Sequence, residues 1–287
     1  MPTYNRLSIL KDSLPRYAGL PVFELIVVDD GSTDGTAEFV ASGKDHRIRL
    51  VRNTRRKFLP GARNVGIAHA TQPFILMGED DVIMDEAYVR TLYDHLQRLP
   101  ADFVAGRLIG MRRGETTAAA RARSDQEASS QLIYPERFSF DYGCRRPEPL
   151  ATPFLHACSM YRTEWAQRNP YHERYTGNAL REESDFYLTN HAAGAQMFFC
   201  SDAVCFHMFH DYAGGCRGNL MGYTLSSLRN NHHFLGRHWP AIQAQLGLDA
   251  RSRIGYEYRL GCRHVRNNLS DWMSVRMPAL HRWLKQK

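Results

Sequence analysis

Residues Glu24-Leu-Ile-Val-Val-Asp-Asp30 run directly into Gly31-Ser-Thr-Asp-Gly35. The apolar, β-branched run reads as a strand, and the Gly/Ser/Thr/Asp cluster after it reads as a turn into a helix. Open α/β sheets bind ligands at the carboxyl ends of their strands, so Asp29 and Asp30 stand where a nucleotide would lie. A plainer reading makes Ser32, Thr33 or Asp34 helix caps, and for Asp34 that reading is preferred. For Asp30 binding is preferred, because two acids at one buried strand end are costly without a partner.

Outward from this stretch, apolar runs and amphipathic runs alternate. A strand is expected over residues 23–28, a helix over 36–41, a strand over 47–51, a helix over 61–70 and a strand over 74–77. That alternation implies βαβ units and an α/β fold with a mostly parallel sheet flanked by helices. A helix over 85–99 and a strand over 103–109 follow. Residues 111–150 lack clean periodicity and read as an insertion, a lid on the acceptor side. Order returns over 154–161, with a helix over 181–193 and strands over 196–200 and 203–208. The chain after Gly218 reads as helical and basic. This divides it into a nucleotide-binding and catalytic unit, 1–215, and a C-terminal helical extension, 216–287.

A second acidic cluster, Gly78-Glu-Asp-Asp81, directly follows the apolar run Phe74-Ile-Leu-Met77. Clustered carboxylates repel one another unless a cation sits among them, and hard divalent ions prefer oxygen ligands. Mn²⁺ or Mg²⁺ is the expected cofactor; the bland alternative is a solvated acidic turn capping the next helix. Arg181-Glu-Glu-Ser-Asp185 opens a helix, where a carboxylate is held ionised by the helix dipole.

The chain has 287 residues, 43% of them hydrophobic, and a formal net charge of +7. Such a charge suits phosphate-bearing substrates, acidic lipid surfaces or nucleic acid. No helix-turn-helix, zinc-finger or RRM signature appears, so nucleic acid ranks last. The six cysteines form no CxxC pair, which points to a reducing cytoplasm. Cys200, Cys205, His207 and His210 match no structural zinc spacing. No apolar stretch is long enough to span a membrane.

Six motifs, in order, resemble the GT-A glycosyltransferases of family 2: Pro2-Thr-Tyr-Asn-Arg6, Val27-Val-Asp-Asp-Gly-Ser-Thr-Asp-Gly-Thr36, Gly61-Ala-Arg-Asn-Val-Gly66, Glu79-Asp-Asp81, Arg181-Glu-Glu-Ser-Asp-Phe186 and Val204-Cys-Phe-His207. The resemblance implies transfer of a sugar from a nucleoside diphosphate donor, a UDP-sugar first among them, to an acceptor hydroxyl with inversion. By the same resemblance Pro2 and Thr3 line the donor site, Tyr4 stacks on the base, Asp30 accepts from a base N–H, and Arg63 contacts base or diphosphate. Glu79 takes the ribose hydroxyls, while Asp80, Asp81 and His207 hold the metal. Glu183 aligns with the general base, and Glu182 is its alternative. The family's usual Asp two positions before Asp80 is replaced by Gly78, and the apolar strand that precedes the Pro-Thr-Tyr-Asn motif is absent. The expectation is either a start assigned too late or a sheet lacking a strand beside the donor.

Two rival functions are a sugar-phosphate nucleotidyltransferase, whose Gly-rich phosphate loop is missing before Asp29, and a noncatalytic nucleotide-sugar binder. The tail carries Met273, Met277, Leu280 and Leu284 at helical spacing, with Trp272 and Trp283 nearby, beside Arg276, Arg282, Lys285 and Lys287. Packing on the catalytic unit is the preferred reading; peripheral contact with the inner membrane face, near a lipid-linked or glycan acceptor, is the other. Pro278 marks a break or a new helix start.

Overall fold

The structure, a computed structural model, describes residues 1–209, 220–248 and 251–277. β1 (Pro2–Thr3) leads through α1 (Leu7–Ala18) to β2 (Leu25–Asp29), and α2 (Thr36–Ala41) leads to β3 (Ile48–Arg52). These strands form a wholly parallel sheet, β1-β2-β3, in which Thr3 lies beside Asp29 and Asp29 beside Arg52. The carboxyl ends of all three strands therefore meet at one edge, which is where the acids of β2 open.

α3 (Phe58–His69), β4 (Phe74–Leu76), β5 (Val82–Ile83), α4 (Glu86–Arg98) and β6 (Phe103–Gly110) follow. α4 buries Tyr88, Val89, Leu92 and Leu96 at i, i+1, i+4 and i+8, the stripe of a core-facing helix. Its cap is Asp85, whose carboxylate accepts from the Tyr88 N–H at 2.8 Å. Residues 111–150 are not one long loop. They hold α5 (Thr117–Glu127) and a small hairpin of β7 (Ile133–Tyr134) and β8 (Ser139–Phe140), with β9 (Leu150–Ala151) at their end.

Order over 154–161 reduces to β10 (Ser159–Arg162), followed by α6 (Thr163–Arg168) and α7 (Glu182–Ala192). The two strands expected over 196–208 are a single strand, β11 (Met197–His207), with a register shift between Phe199 and Val204. The irregularity absorbs the break in alternation that separates them in the sequence. The second sheet runs β4-β10-β6-β11-β5, with β6 and β11 parallel and the other pairs antiparallel.

Between the sheets, beside β2 and β4, lies an apolar groove of about 630 Å³ whose walls include Met1, Ile26, Phe74 and Leu76. Among the described residues β1 has β2 as its sole strand neighbour. The two sheets are separated here by the groove.

The basic segment is helical, as α8 (Leu220–Leu246) and α9 (Arg253–Arg276). Phe234, Leu235, Ile242, Tyr256 and Leu260 share a core with Leu188 of α7, so α8 and α9 pack on α7. Pro278, Leu280, Arg282, Trp283, Leu284, Lys285 and Lys287 lie outside the described residues, as do His210 and Cys216. No described helix is long and apolar enough to cross a membrane.

Candidate active site

The turn after β1 is clasped to the turn after β2. Asn5, at φ 50°, donates its N–H to Ser32 Oγ at 2.8 Å, and its side-chain oxygen accepts from the Thr33 N–H at 2.8 Å. Asp34 caps: one oxygen accepts from the Leu7 N–H at 2.9 Å and the other from the Thr36 hydroxyl at 2.6 Å. Pro2 and Thr3 are buried, and Tyr4 is half-buried with the Arg56 guanidinium 4.0 Å over its ring. A flat π-face of this kind is a stacking platform. Asp30 is buried and accepts from Asn53 Nδ2 and the Lys57 N–H, both at 2.8 Å. Asp29 beneath it accepts from the Ser32 N–H at 3.0 Å and lies 3.3 Å from Arg52 Nε.

The second acidic cluster stands at the end of β4. Gly78 is a packing requirement: a Cβ there would sit 2.8 Å from Tyr17 Cε1, and Tyr17 uses its hydroxyl to donate to the Glu79 carbonyl at 2.9 Å. A carboxylate at position 78 is excluded by this ring. Asp80 accepts from the Thr3 hydroxyl at 2.8 Å. Arg6 spans the pair, with Nη1 3.4 Å from Asp80 and Nη2 2.8 Å from Asp81. Burial, only partly offset by Arg6, pushes the Asp80 carboxyl up to about 6. His207, at the end of β11, brings Nε2 to 3.8 Å from Asp81.

Among the described residues no group of three His, Cys, Asp or Glu side chains is arranged to hold a metal ion. The chemistry of the donor set nonetheless fits one: Asp80, Asp81 and His207 offer hard oxygens and one imidazole, and a cationic guanidinium already offsets the charge of the carboxylates.

Arg63, carried by α3, joins this cluster to α7. Its guanidinium is fully buried and donates to Glu182, to Glu79 at 2.8 Å and to Glu183 at 3.2 Å. Burial works against its charge, but Glu182, Tyr171, Glu183 and Glu79 outweigh that and raise its pKa further. Three carboxyl groups share one cation, so one guanidinium cannot hold them all ionised. Burial accordingly pushes both Glu182 and Glu79 up, against the pull of Arg63. The two acids of α7 differ in access: the Glu182 side chain is 3% exposed and that of Glu183 32%.

The entry to α7 is strained. Ala179 and Arg181 have φ of 51° and 76°, a region that costs a non-glycine residue on the order of 1 kcal/mol or more. Arg181 is pinned there by bonds to Asn231 Oδ1 and the Phe138 carbonyl, each 3.2 Å. Arg6, Asn5, Asn53 and Tyr17 were not identified as site residues from the sequence. Arg6 and Asn5 lie inside a quoted motif, whereas the partners of Asn53 and Tyr17 are set only by tertiary contact.

A family model described as Glycosyl transferase family 2 matches residues 1–169. Glycosyltransferase GlyG of Streptococcus pneumoniae serotype 4 is 35% identical over 85 residues, 29% of this chain and 28% of GlyG. The UDP-Glc:alpha-D-GlcNAc-diphosphoundecaprenol beta-1,3-glucosyltransferase WfgD of Escherichia coli is 35% identical over 88 residues, 29% of this chain and 34% of WfgD. The matched stretches thus span about a third or less of these relatives. Mannosyltransferase PcManGT from Pyrobaculum calidifontis, solved with GDP-Man and Mn²⁺, has a TM-score of 0.59 over 99% of this chain and 76% of its own, at 14% identity. That likeness is one of fold, and it is the GT-A architecture expected from the motifs. With strand-end acids, clasped turns and α7 carboxylates built into this fold, and a match over more than half of the sequence, the chain belongs to glycosyl transferase family 2.

Proposed function

We propose that the chain is a metal-dependent, inverting glycosyltransferase that takes a nucleoside diphosphate sugar, a UDP-sugar first, and passes its sugar to an acceptor hydroxyl. The observation that carries this reading is the α7 acid pair on Arg63. Glu182 is locked in the interior, while Glu183 keeps one face open and lies in the same ion cluster as Glu79. A half-buried carboxylate at a helix start that solvent and substrate can reach, oriented by a buried guanidinium, is suited to general-base work.

In the reaction the acceptor oxygen bonds to the anomeric carbon as the bond from that carbon to the diphosphate oxygen breaks. The hydroxyl proton passes to Glu183, and the electron pair leaves with the nucleoside diphosphate. Tyr4 stacks the base, Asp30 accepts from it, Pro2 and Thr3 wall the site, and Glu79 takes the ribose. Arg63 holds the carboxylates in place and stands next to the diphosphate. Asp80, Asp81 and His207 would hold Mn²⁺ or Mg²⁺, which when bound neutralises charge on the diphosphate.

Residues 111–150 are read as the acceptor side. A cleft of about 520 Å³ lined by Arg123, Glu127, Asp141 and Tyr142 reaches His207. The acceptor hydroxyl belongs to a glycan or a lipid-linked sugar, in keeping with the diphosphoundecaprenol acceptor in the name of WfgD. A peripheral place at the inner membrane face is supported by α9, where Ile254, Tyr258, Val265, Leu269 and Trp272 are exposed at helical spacing. Neither a nucleotidyltransferase nor a noncatalytic binder is favoured by the family match.

The test is a thermal-shift panel of UDP-, GDP- and dTDP-sugars with and without Mn²⁺. One donor is expected to raise the melting temperature only with metal, since a ligand of the folded state stabilises it. No stabilisation by any donor overturns the reading.

A further inference from the structure

α8 and the segment before α7 border a small pocket of about 270 Å³ lined by Arg174, Arg229, Asn230, His233 and Arg237. Three guanidiniums meet there, and the carboxylates around it do not balance them. Asp185 accepts from Arg237 at 2.8 Å but also from His238 at 2.8 Å and the Tyr175 hydroxyl at 2.9 Å. Glu257 is taken by His232 at 2.6 Å, and Glu173 accepts from Asn64 at 3.1 Å. Arg229 donates to the neutral hydroxyl of Thr176. Neither Arg174 nor Arg229 has a carboxylate partner among the described residues.

His233 Nε2 is buried with no hydrogen-bond partner among the described residues. The His172 and His233 rings stand 5.0 Å apart, and both are pushed down, by burial first and then by neighbouring positive charge. Arg174, Arg229 and Arg237 are exposed with spare donors, and forked guanidiniums match phosphate oxygens. The volume lies below the roughly 300–1,000 Å³ that encloses a whole drug-sized ligand, so it suits one small group rather than a complete donor.

The pocket is close to the chemistry. Asp185, which holds Arg237, follows Glu182 by three residues on α7, about 4.5 Å along the helix axis. The same segment is tied to α3 beside Arg63, because Asn64 Nδ2 donates to the Tyr171 carbonyl at 2.8 Å. We propose that this pocket binds the phosphate or diphosphate group of a phosphorylated acceptor and so positions its hydroxyl near Glu183. The acceptor part of the proposal rests on the transferase reading; the anion pocket does not.

The experiment is calorimetric titration of inorganic pyrophosphate in EDTA, so that no divalent ion recruits it to the donor site. Wild type is compared with an R174Q/R229Q variant and with a K11Q/R16Q control that loses the same charge from the exposed face of α1. Pyrophosphate is expected to bind wild type and control alike and to lose at least tenfold in affinity in the pocket variant. UDP-glucose with Mn²⁺ should bind all three equally. Unchanged pyrophosphate affinity in the pocket variant, an equal loss in the control, or no binding to wild type overturns the pocket.

Sedimentation with phosphatidylglycerol vesicles separates an acceptor phosphate from a bilayer headgroup. Equal sedimentation of wild type and pocket variant is expected; a loss confined to the pocket variant reassigns the site to the bilayer and overturns the acceptor. Pyrophosphate binding without donor binding in wild type sinks the transferase reading, and the acceptor with it, while the anion pocket stands.

Discussion

Replacing Arg63 with Met keeps much of the side-chain volume and removes the charge that three carboxylates share. In the wild type the guanidinium donates to Glu182, Glu79 and Glu183 from a fully buried position. Breaking one side of a buried ion pair costs about 3–5 kcal/mol, because the remaining charge is left uncompensated. At about 2–4 °C per kcal/mol for a large domain, the melting temperature should fall on the order of 6–20 °C near neutral pH. The loss also depends on pH, and its sign follows from the acids. Their folded pKa values are already raised by burial, and removing Arg63 raises them further. A group with a raised folded pKa contributes stability that is lost as pH rises from its unfolded value to its folded one. The wild-type Glu79 carboxyl keeps its own proton up to about pH 8, so the extra proton of the folded variant counts only above that, adding about 1.36 kcal/mol per pH unit, or about 1.4 kcal/mol between pH 8 and pH 9. Chemical denaturation of both proteins at those two pH values measures it, and Glu79→Gln added to the variant should recover part of the loss. A loss under about 1 kcal/mol, or the same loss at both pH values, would refute the shared-cation account.

Three further outcomes follow from single contacts. His156 is buried, donates from Nε2 to the Gly106 carbonyl at 2.8 Å and accepts the Cys158 N–H at Nδ1, and burial lowers its pKa from 6.5 to about 4. The folded state refuses a proton that the unfolded chain takes, so about 3 kcal/mol of stability is lost as pH falls from about 6.5 to about 4; His156→Gln should flatten that part of the stability-pH curve, and an unchanged slope would contradict the assignment. Gly78→Ala should destabilise by about 1–3 kcal/mol through its clash with Tyr17, and a denaturation midpoint equal to wild type would show the ring free to move. Replacing Ile254, Leu269 and Trp272 of α9 with Ser should abolish sedimentation with anionic liposomes while leaving secondary structure intact, and equal sedimentation of variant and wild type would reject the stripe as a membrane contact.

Much of the candidate site is legible because its residues fall at strand ends and helix starts, positions that local pattern fixes. Asp30, Asp80 and the α7 acids stand at such positions, and the capping reading of Asp34 holds in its bonds to Leu7 and Thr36. α1 left a weaker trace, because Pro15 breaks the pattern although Leu10, Leu14 and Tyr17 keep helical spacing. The merging of two expected strands into β11 turns on a bulge that pattern reads as a gap. α5 is hard to see because its burial is confined to Ala120 and Ser124, which leaves little apolar periodicity. The part of Gly78 was invisible from the chain alone: only the fold brings Tyr17, 61 positions earlier in the numbering, against its Cα.

The most direct test of the central claim is the turnover of Glu183→Gln and Glu182→Gln beside wild type, with donor affinity measured on the same preparations. The more accessible of the two α7 carboxylates is assigned the acceptor proton, so Glu183→Gln should keep donor affinity and lose at least about a hundredfold in kcat, the scale of a general base. Glu182→Gln should be milder in kcat. Full turnover by Glu183→Gln, or inactivity confined to Glu182→Gln, would contradict the account.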